Sequence, residues 1–253
     1  PVFRQALWLS LGLAALMFAF LSFIPHALGP FGIAPEIIPG ARDFLHGVRW
    51  GVPALTLYFC MRYLSEGMHW TLPTMVIGFG GLLVLAPLGY AFTFGRFGLP
   101  EMGAGGLGLA SAITMWAQAV AFAIYLWNAK RFAELKLFAR FDPPHAKPIG
   151  ELLRTGLPIG ITVLMEGGLF IATALLIARL GAVPAAAHQI AINVSALCFM
   201  VPMGVAEATT VRVGHALGAG DMRGIRRAAH AGYLIVLCTQ AFSAMALLLG
   251  HDA

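Results

Sequence analysis

Charge is what this chain most lacks. Only 11% of its 253 residues are Asp, Glu, Lys or Arg, against about 25% in a water-soluble domain. With 59% hydrophobic residues and a mean hydropathy of +0.83, the composition excludes a soluble globular domain and indicates an integral membrane protein. Cysteine is nearly absent too. Cys60, Cys198 and Cys238 lie inside or at the edge of apolar runs, with neither CxxC nor CxxH spacing. That excludes a disulfide framework and a cysteine zinc site, and leaves small apolar packing as their role. No nucleophile elbow, HExxH pair or Walker loop occurs, so the chain is not read as an enzyme. The string Gly103, Ala104, Gly105, Gly106, Leu107, Gly108 matches GxGxxG. No βαβ unit surrounds it and an apolar run follows, so a nucleotide site is rejected in favour of flexible re-entry into the membrane. No cofactor is implied.

What is present is a series of apolar runs. Residues 6–28, 48–64, 72–94, 107–127, 157–177, 187–211 and 228–249 are each close to the ~20 residues a helix needs to span a bilayer. The expected fold class is therefore all-α, with about seven transmembrane helices. Barrel strands would alternate polar and apolar residues instead.

Loop charge sets the orientation. One set of alternate loops carries Arg4, Arg62, Lys130, Arg131, Lys136, Arg140, Lys147, Arg154, Arg212, Arg223, Arg226 and Arg227. The other carries only Arg42, Arg49, Arg96 and Arg179. The first set faces the cytoplasm. A net charge of +5 does not indicate nucleic acid, because the basic residues border spans rather than cluster with aromatics on a polar face. The partners expected are the lipid bilayer and small ions or molecules crossing it.

The polar stretch 128–154 divides the chain into 1–127, with four spans, and 155–253, with three. Within it Phe132, Leu135, Phe138 and Phe141 recur at helical spacing, with Lys130, Arg131, Lys136 and Arg140 on other faces. This predicts an interfacial helix, stopped by Pro143, Pro144 and Pro148. Residues 42–50 are a smaller interfacial candidate on the outer side. Gly47 with Gly51, and Gly156 with Gly160, have GxxxG spacing suited to close helix approach. An odd span count starting at Pro1, without an initiator Met or a signal-peptide pattern, suggests a piece of a longer protein.

Glu166 carries the functional signal. It is the only carboxylate near the middle of an apolar run, nine residues from Leu157. At ~1.5 Å per residue it lies ~14 Å into a hydrocarbon layer ~30 Å thick. A carboxylate at that depth costs a few kcal/mol and marks an ion or substrate path; the plain alternative is a protonated acid bonded to a neighbouring helix. Thr162, Glu166 and Phe170 are spaced by four, which puts a hydroxyl, a carboxylate and a ring in one column. Gln189 and Asn193, also four apart, share a face of the next span. If the two faces meet, they form a chamber suited to an organic cation. Interhelical hydrogen bonding by the amides is the alternative.

At these residues a family becomes recognisable. The segment GLPIGITVLMEGGLFIATALLIARLGA from Gly156, followed by AAAHQIAINVSALCFMVPMGVAEATTVRVGHALGAGD ending at Asp221, closely resembles the seventh and eighth helices of the multidrug and toxic compound extrusion (MATE) transporters. RYLSEG and the APLGY to FG turn upstream resemble that family's fourth and fifth helices. The resemblance implies a fragment of a two-bundle, twelve-helix fold. It would hold the last four helices of the first bundle, the cytoplasmic linker and the first three helices of the second. It further implies a multi-pass antiporter of the bacterial inner membrane that exchanges H⁺ or Na⁺ for organic cations and is a monomer when full length. Glu166 would be its cation-coupling residue and a Na⁺ ligand, and Phe170, Gln189 and Asn193 would line the cavity, with Thr162 a further site candidate from its place in the Glu166 column. The chain departs from the family pattern around Pro87, where Leu85 and Gly89 stand in place of asparagines. Two rival expectations are a lipid-linked precursor flippase of the same superfamily and a non-transporting membrane scaffold.

Overall fold

The computed structural model describes residues 2–27, 38–68, 70–96, 98, 100–129 and 142–249. All regular structure there is helical: α1 (Val2–Ala27), α2 (Ile38–Val48), α3 (Val52–Gly67), α4 (Leu72–Phe94), α5 (Gly103–Asn128), α6 (Ala146–Ala178), α7 (Ala182–Gly218) and α8 (Met222–Leu249). Six of these are long and apolar enough to cross a membrane. The remaining expected span corresponds to α3. It has only 16 residues but continues directly from α2 through the 3-10 turn Arg49–Gly51. Residues 42–50, expected at the interface, are thus helical and belong to this run. The predicted interfacial helix around Phe132, Leu135, Phe138 and Phe141 lies outside the described residues. Pro148, one of the prolines expected to follow it, sits in the first turn of α6, where the missing N–H costs no hydrogen bond.

Two compact units divide the chain, Pro1–Arg154 and Thr155–Ala253. In the first, α5 is the central element and packs against α2, α3 and α4. The core lies between α3 and α5, where Ala54, Tyr58 and Met61 meet Ala119, Phe122 and Leu126. Phe122 is wholly enclosed, and its ring meets Tyr58 edge-on at 5.7 Å. Lipid tails are as apolar as these side chains, so close packing rather than the hydrophobic effect holds such helices together.

Glycine is where that closeness is achieved. A Cβ on Gly47 would stand 2.7 Å from the Leu109 nitrogen, and one on Gly51 would stand 2.8 Å from the Ala112 Cα. The Gly47/Gly51 pair therefore brings backbone against backbone. Gly106 does the same against Phe92 of α4, at 2.7 Å from its carbonyl carbon. The GxGxxG string is a packing ridge of α5, not a flexible re-entrant segment. By contrast, Gly156 and Gly160 have open space where a side chain would go.

The family-like strings acquire physical meaning here. In RYLSEG, Arg62 Nε donates to Glu66 Oε1 at 2.7 Å one helical turn on, so α3 ends in an internally paired charge. Ser65 Oγ donates to the Trp70 carbonyl at 2.6 Å, and Trp70 Nε1 donates to Tyr125 Oη at 2.6 Å, which ties the turn after α3 to α5. Helix α4 stops at Gly95, whose φ of +62° is left-handed; its N–H and that of Arg96 both return to the Ala91 carbonyl.

In the second unit α7 and α8 form a helical hairpin. The GAGD turn separates them. Gly220 takes a φ of +70°, and Asp221 Oδ1 accepts the N–H groups of Arg223 and Gly224 at 3.1 and 2.9 Å, capping α8. Gly232 lets α8 approach Thr209, whose Cγ2 would lie 3.1 Å from an added Cβ. Helix α7 runs 37 residues without interruption through Pro202. At ~1.5 Å per residue it outruns the hydrocarbon layer, so it tilts or projects from it.

Candidate functional site

Helix α6 places the acidic residue. Its long apolar sequence has no partner for backbone groups other than itself, so the chain stays helical from Ala146 to Ala178 despite Pro158. Pro158 cannot donate to the Arg154 carbonyl. One turn on, the Thr162 hydroxyl donates to the Pro158 carbonyl at 3.0 Å. This spends its proton within the helix and leaves its oxygen as an acceptor at the helix surface. Glu166 follows one turn later and Phe170 one turn after that, so the hydroxyl oxygen, the carboxylate and the ring form a single column. All three are exposed in this unit, Phe170 at 55%.

The electrostatics are simple. The salt bridges found are Arg4 with Asp142 and Arg62 with Glu66; neither involves Glu166. Among the described residues no guanidinium or ammonium neutralises it. Glu66 is the contrasting case, a carboxylate 8% exposed and held by Arg62, so its charge is already compensated. Among the described residues, no group of three or more His, Cys, Asp or Glu side chains is arranged to hold a metal.

Gln189 and Asn193 lie on α7 as expected, one turn apart and both exposed. They stand one residue beyond the half-buried positions His188 and Ile192, a rotation of about 100°. Among the described residues α6 does not pack along α7 or α8, so the two columns are not brought together there. Each column is built within its own helix; the chamber between them is not formed by these helices. His188 was missed by the sequence reading. Its Nε2 is shielded from solvent and has no hydrogen-bond partner among the described residues. The signal was available, since a polar ring within the apolar run 185–192 meets the rule that singled out Glu166.

Comparison with known proteins adds an independent line. A family model described as MatE matches residues 1–91 and 158–252. A probable multidrug resistance protein NorM of Xanthomonas axonopodis pv. citri (strain 306) is 76% identical over 253 residues, covering 100% of this chain and 55% of that protein. The multidrug resistance protein PmpM of Pseudomonas aeruginosa is 41% identical over 250 residues, covering 98% of this chain and 52% of its own length. The crystal structure of the eukaryotic MATE transporter AtDTX14 matches with a TM-score of 0.76 at 18% identity, over 92% of this chain and 51% of that one; this is a likeness of fold. The chain spans about half the length of the curated relatives it matches.

Proposed function

Since the chain belongs to the MatE family and is a multi-pass protein of the bacterial inner membrane, we propose that it forms part of a multidrug efflux antiporter in which Glu166 couples ion entry to export of an organic cation. The observation that carries this reading is a carboxylate in the apolar stretch of α6, with no cation paired to it among the described residues. An uncompensated acid in hydrocarbon is costly, and that cost is relieved when it binds H⁺, Na⁺ or a cationic substrate. The names of the relatives, probable multidrug resistance protein NorM and multidrug resistance protein PmpM, point to the same substrate class.

The neighbours support this role. The Thr162 hydroxyl, its proton committed to the Pro158 carbonyl, turns lone pairs outward and serves as a second oxygen for Na⁺. Phe170 offers a ring face to the flat body of an organic cation. Gln189 and Asn193 supply amide donors and acceptors from α7 once a substrate or further helices lie between the columns. Residues 1–127 are read as the end of a first bundle, 128–154 as the linker, and 155–253 as the start of a second bundle.

Competition for a single carboxylate then gives antiport. Exchange of one monovalent drug for one H⁺ or Na⁺ moves no net charge, so the ion's concentration gradient alone drives it. Any extra ion per cycle adds ~2.3 kcal/mol per charge per 100 mV from the membrane potential. The test is Glu166→Gln in the full-length protein, with ethidium efflux measured in cells and membrane expression matched to wild type. Efflux should vanish in the Gln variant and persist in part in Glu166→Asp. Undiminished efflux by Glu166→Gln refutes the role.

A further inference from the structure

The segment that enters α6 is bound to the first turns of α1. The Asp142 carboxylate pairs with Arg4. Trp8 Nε1 donates to the Asp142 carbonyl at 2.9 Å, Gln5 Nε2 donates to the Pro143 carbonyl at 3.0 Å, and the His145 N–H donates to Gln5 Oε1 at 2.8 Å. Gln5 is only 3% exposed, so its amide acts as a buried peptide group that closes both ends of a short extended segment.

The backbone accounting is what sets this apart from a casual contact. Pro143 and Pro144 have no N–H, so across the three residues after Asp142 the only donor is that of His145, and Gln5 takes it. Two successive prolines also restrict the free segment, so little chain entropy is lost when it docks. Just beyond, Leu152 of α6 lines the same apolar groove as Val2, Phe3 and Ala6 of α1. The compact unit correspondingly extends through Arg154, two turns into α6.

We propose that Arg4, Gln5 and Trp8 form a permanent latch that makes residues 142–154 part of the first unit, so that every movement of the second unit during transport is taken up beyond Arg154 and the linker's end is not a moving part. The latch itself is a property of the first unit; its bearing on transport rests on the function proposed above. It predicts that the docked end stays protected in every state of the cycle.

Two measurements on the full-length protein in nanodiscs or cells decide it. In the first, hydrogen exchange at the His145 amide is followed on a peptide covering 142–149. Protection should be the same with and without ethidium and across the pH range of transport. In Gln5→Leu exchange should rise by about fivefold for each hydrogen bond lost, and Trp8→Phe, which removes only the bond to the Asp142 carbonyl, should give a smaller rise. Protection that falls when ethidium is added, or that is unchanged in Gln5→Leu, overturns the latch. In the second, Arg4→Cys and Asp142→Cys, with the native cysteines replaced, are joined by a short bis-methanethiosulfonate bridge, because the reach of an Arg–Asp pair exceeds what a direct disulfide tolerates. Ethidium efflux should be equal in bridged and reduced samples. Efflux that stops on bridging and returns on reduction overturns the proposal. If the wild-type protein exports no ethidium, the antiport reading fails, while the exchange measurement still decides the latch.

Discussion

Gly47→Ala is the substitution whose outcome the structure fixes most directly. The added methyl carbon would stand 2.7 Å from the Leu109 nitrogen, 2.8 Å from the Gly108 carbonyl carbon and 2.9 Å from the Gly105 oxygen. All three are backbone atoms of α5, which cannot rotate out of the way. Normal contact is reached only if α2 and α5 separate by roughly 0.5–1 Å, a gap that forfeits a quarter to a half of the dispersion energy of each pair across the interface. Overpacking of this kind costs about 1–3 kcal/mol, partly offset by ~1 kcal/mol for removing a helix-interior glycine. Gly80→Ala in α4 is the matched comparison: nothing lies within 4 Å of its added carbon, so only the favourable helix term remains. Thermal unfolding of purified full-length protein, followed by thiol-reactive dye or fluorescence-detected chromatography, should place Gly47→Ala below Gly80→Ala by about 1–2 °C per kcal/mol of difference, the shift per kcal/mol shrinking as chain length grows. Gly80→Ala should match or exceed wild type. If the two variants melt together, the close approach of α2 and α5 is wrong.

The charge pair of α3 gives a second test. Arg62→Met leaves Glu66, 8% exposed, without its cation and should cost about 3–5 kcal/mol, whereas Arg62→Met with Glu66→Leu should recover most of that loss in the same melting assay. Asp221→Ala removes both cap bonds to Arg223 and Gly224 and should destabilise by about 1 kcal/mol, while Asp221→Asn should retain most of the stability. Phe122→Ala empties the enclosed centre of the first unit and should cost about 3–5 kcal/mol, visible as loss of folded yield.

Much of the fold was legible residue by residue. The apolar runs located the helices, because in hydrocarbon a run of that length has no other way to satisfy its backbone. The end of α4 could be read from its glycine, and so could the GAGD turn with its capping aspartate. The start of α6 and the C-terminal end of α7 were set too short, because there both helices continue past the apolar stretch into polar sequence where hydropathy gives no signal. Residues 42–50, expected as a small interfacial piece, are helical and lead through the 3-10 turn Arg49–Gly51 into α3. At the candidate site the columns on α6 and α7 followed from four-residue spacing. Their convergence did not, since spacing describes one helix and says nothing about its neighbour. His188 was passed over although it stands next to Gln189.

Taken alone, the sequence determined that this is a helical membrane protein, with one acid near the middle of an apolar run. Those are properties of each stretch of chain against water or lipid. The tertiary structure decided which of two identical GxxxG pairs is a contact: Gly47 and Gly51 are pressed against α5, and Gly156 and Gly160 are open. It also decided that Asp142 docks on Arg4, 138 positions away. Contacts of that kind depend on which helices lie side by side, and no periodicity along a single segment encodes them.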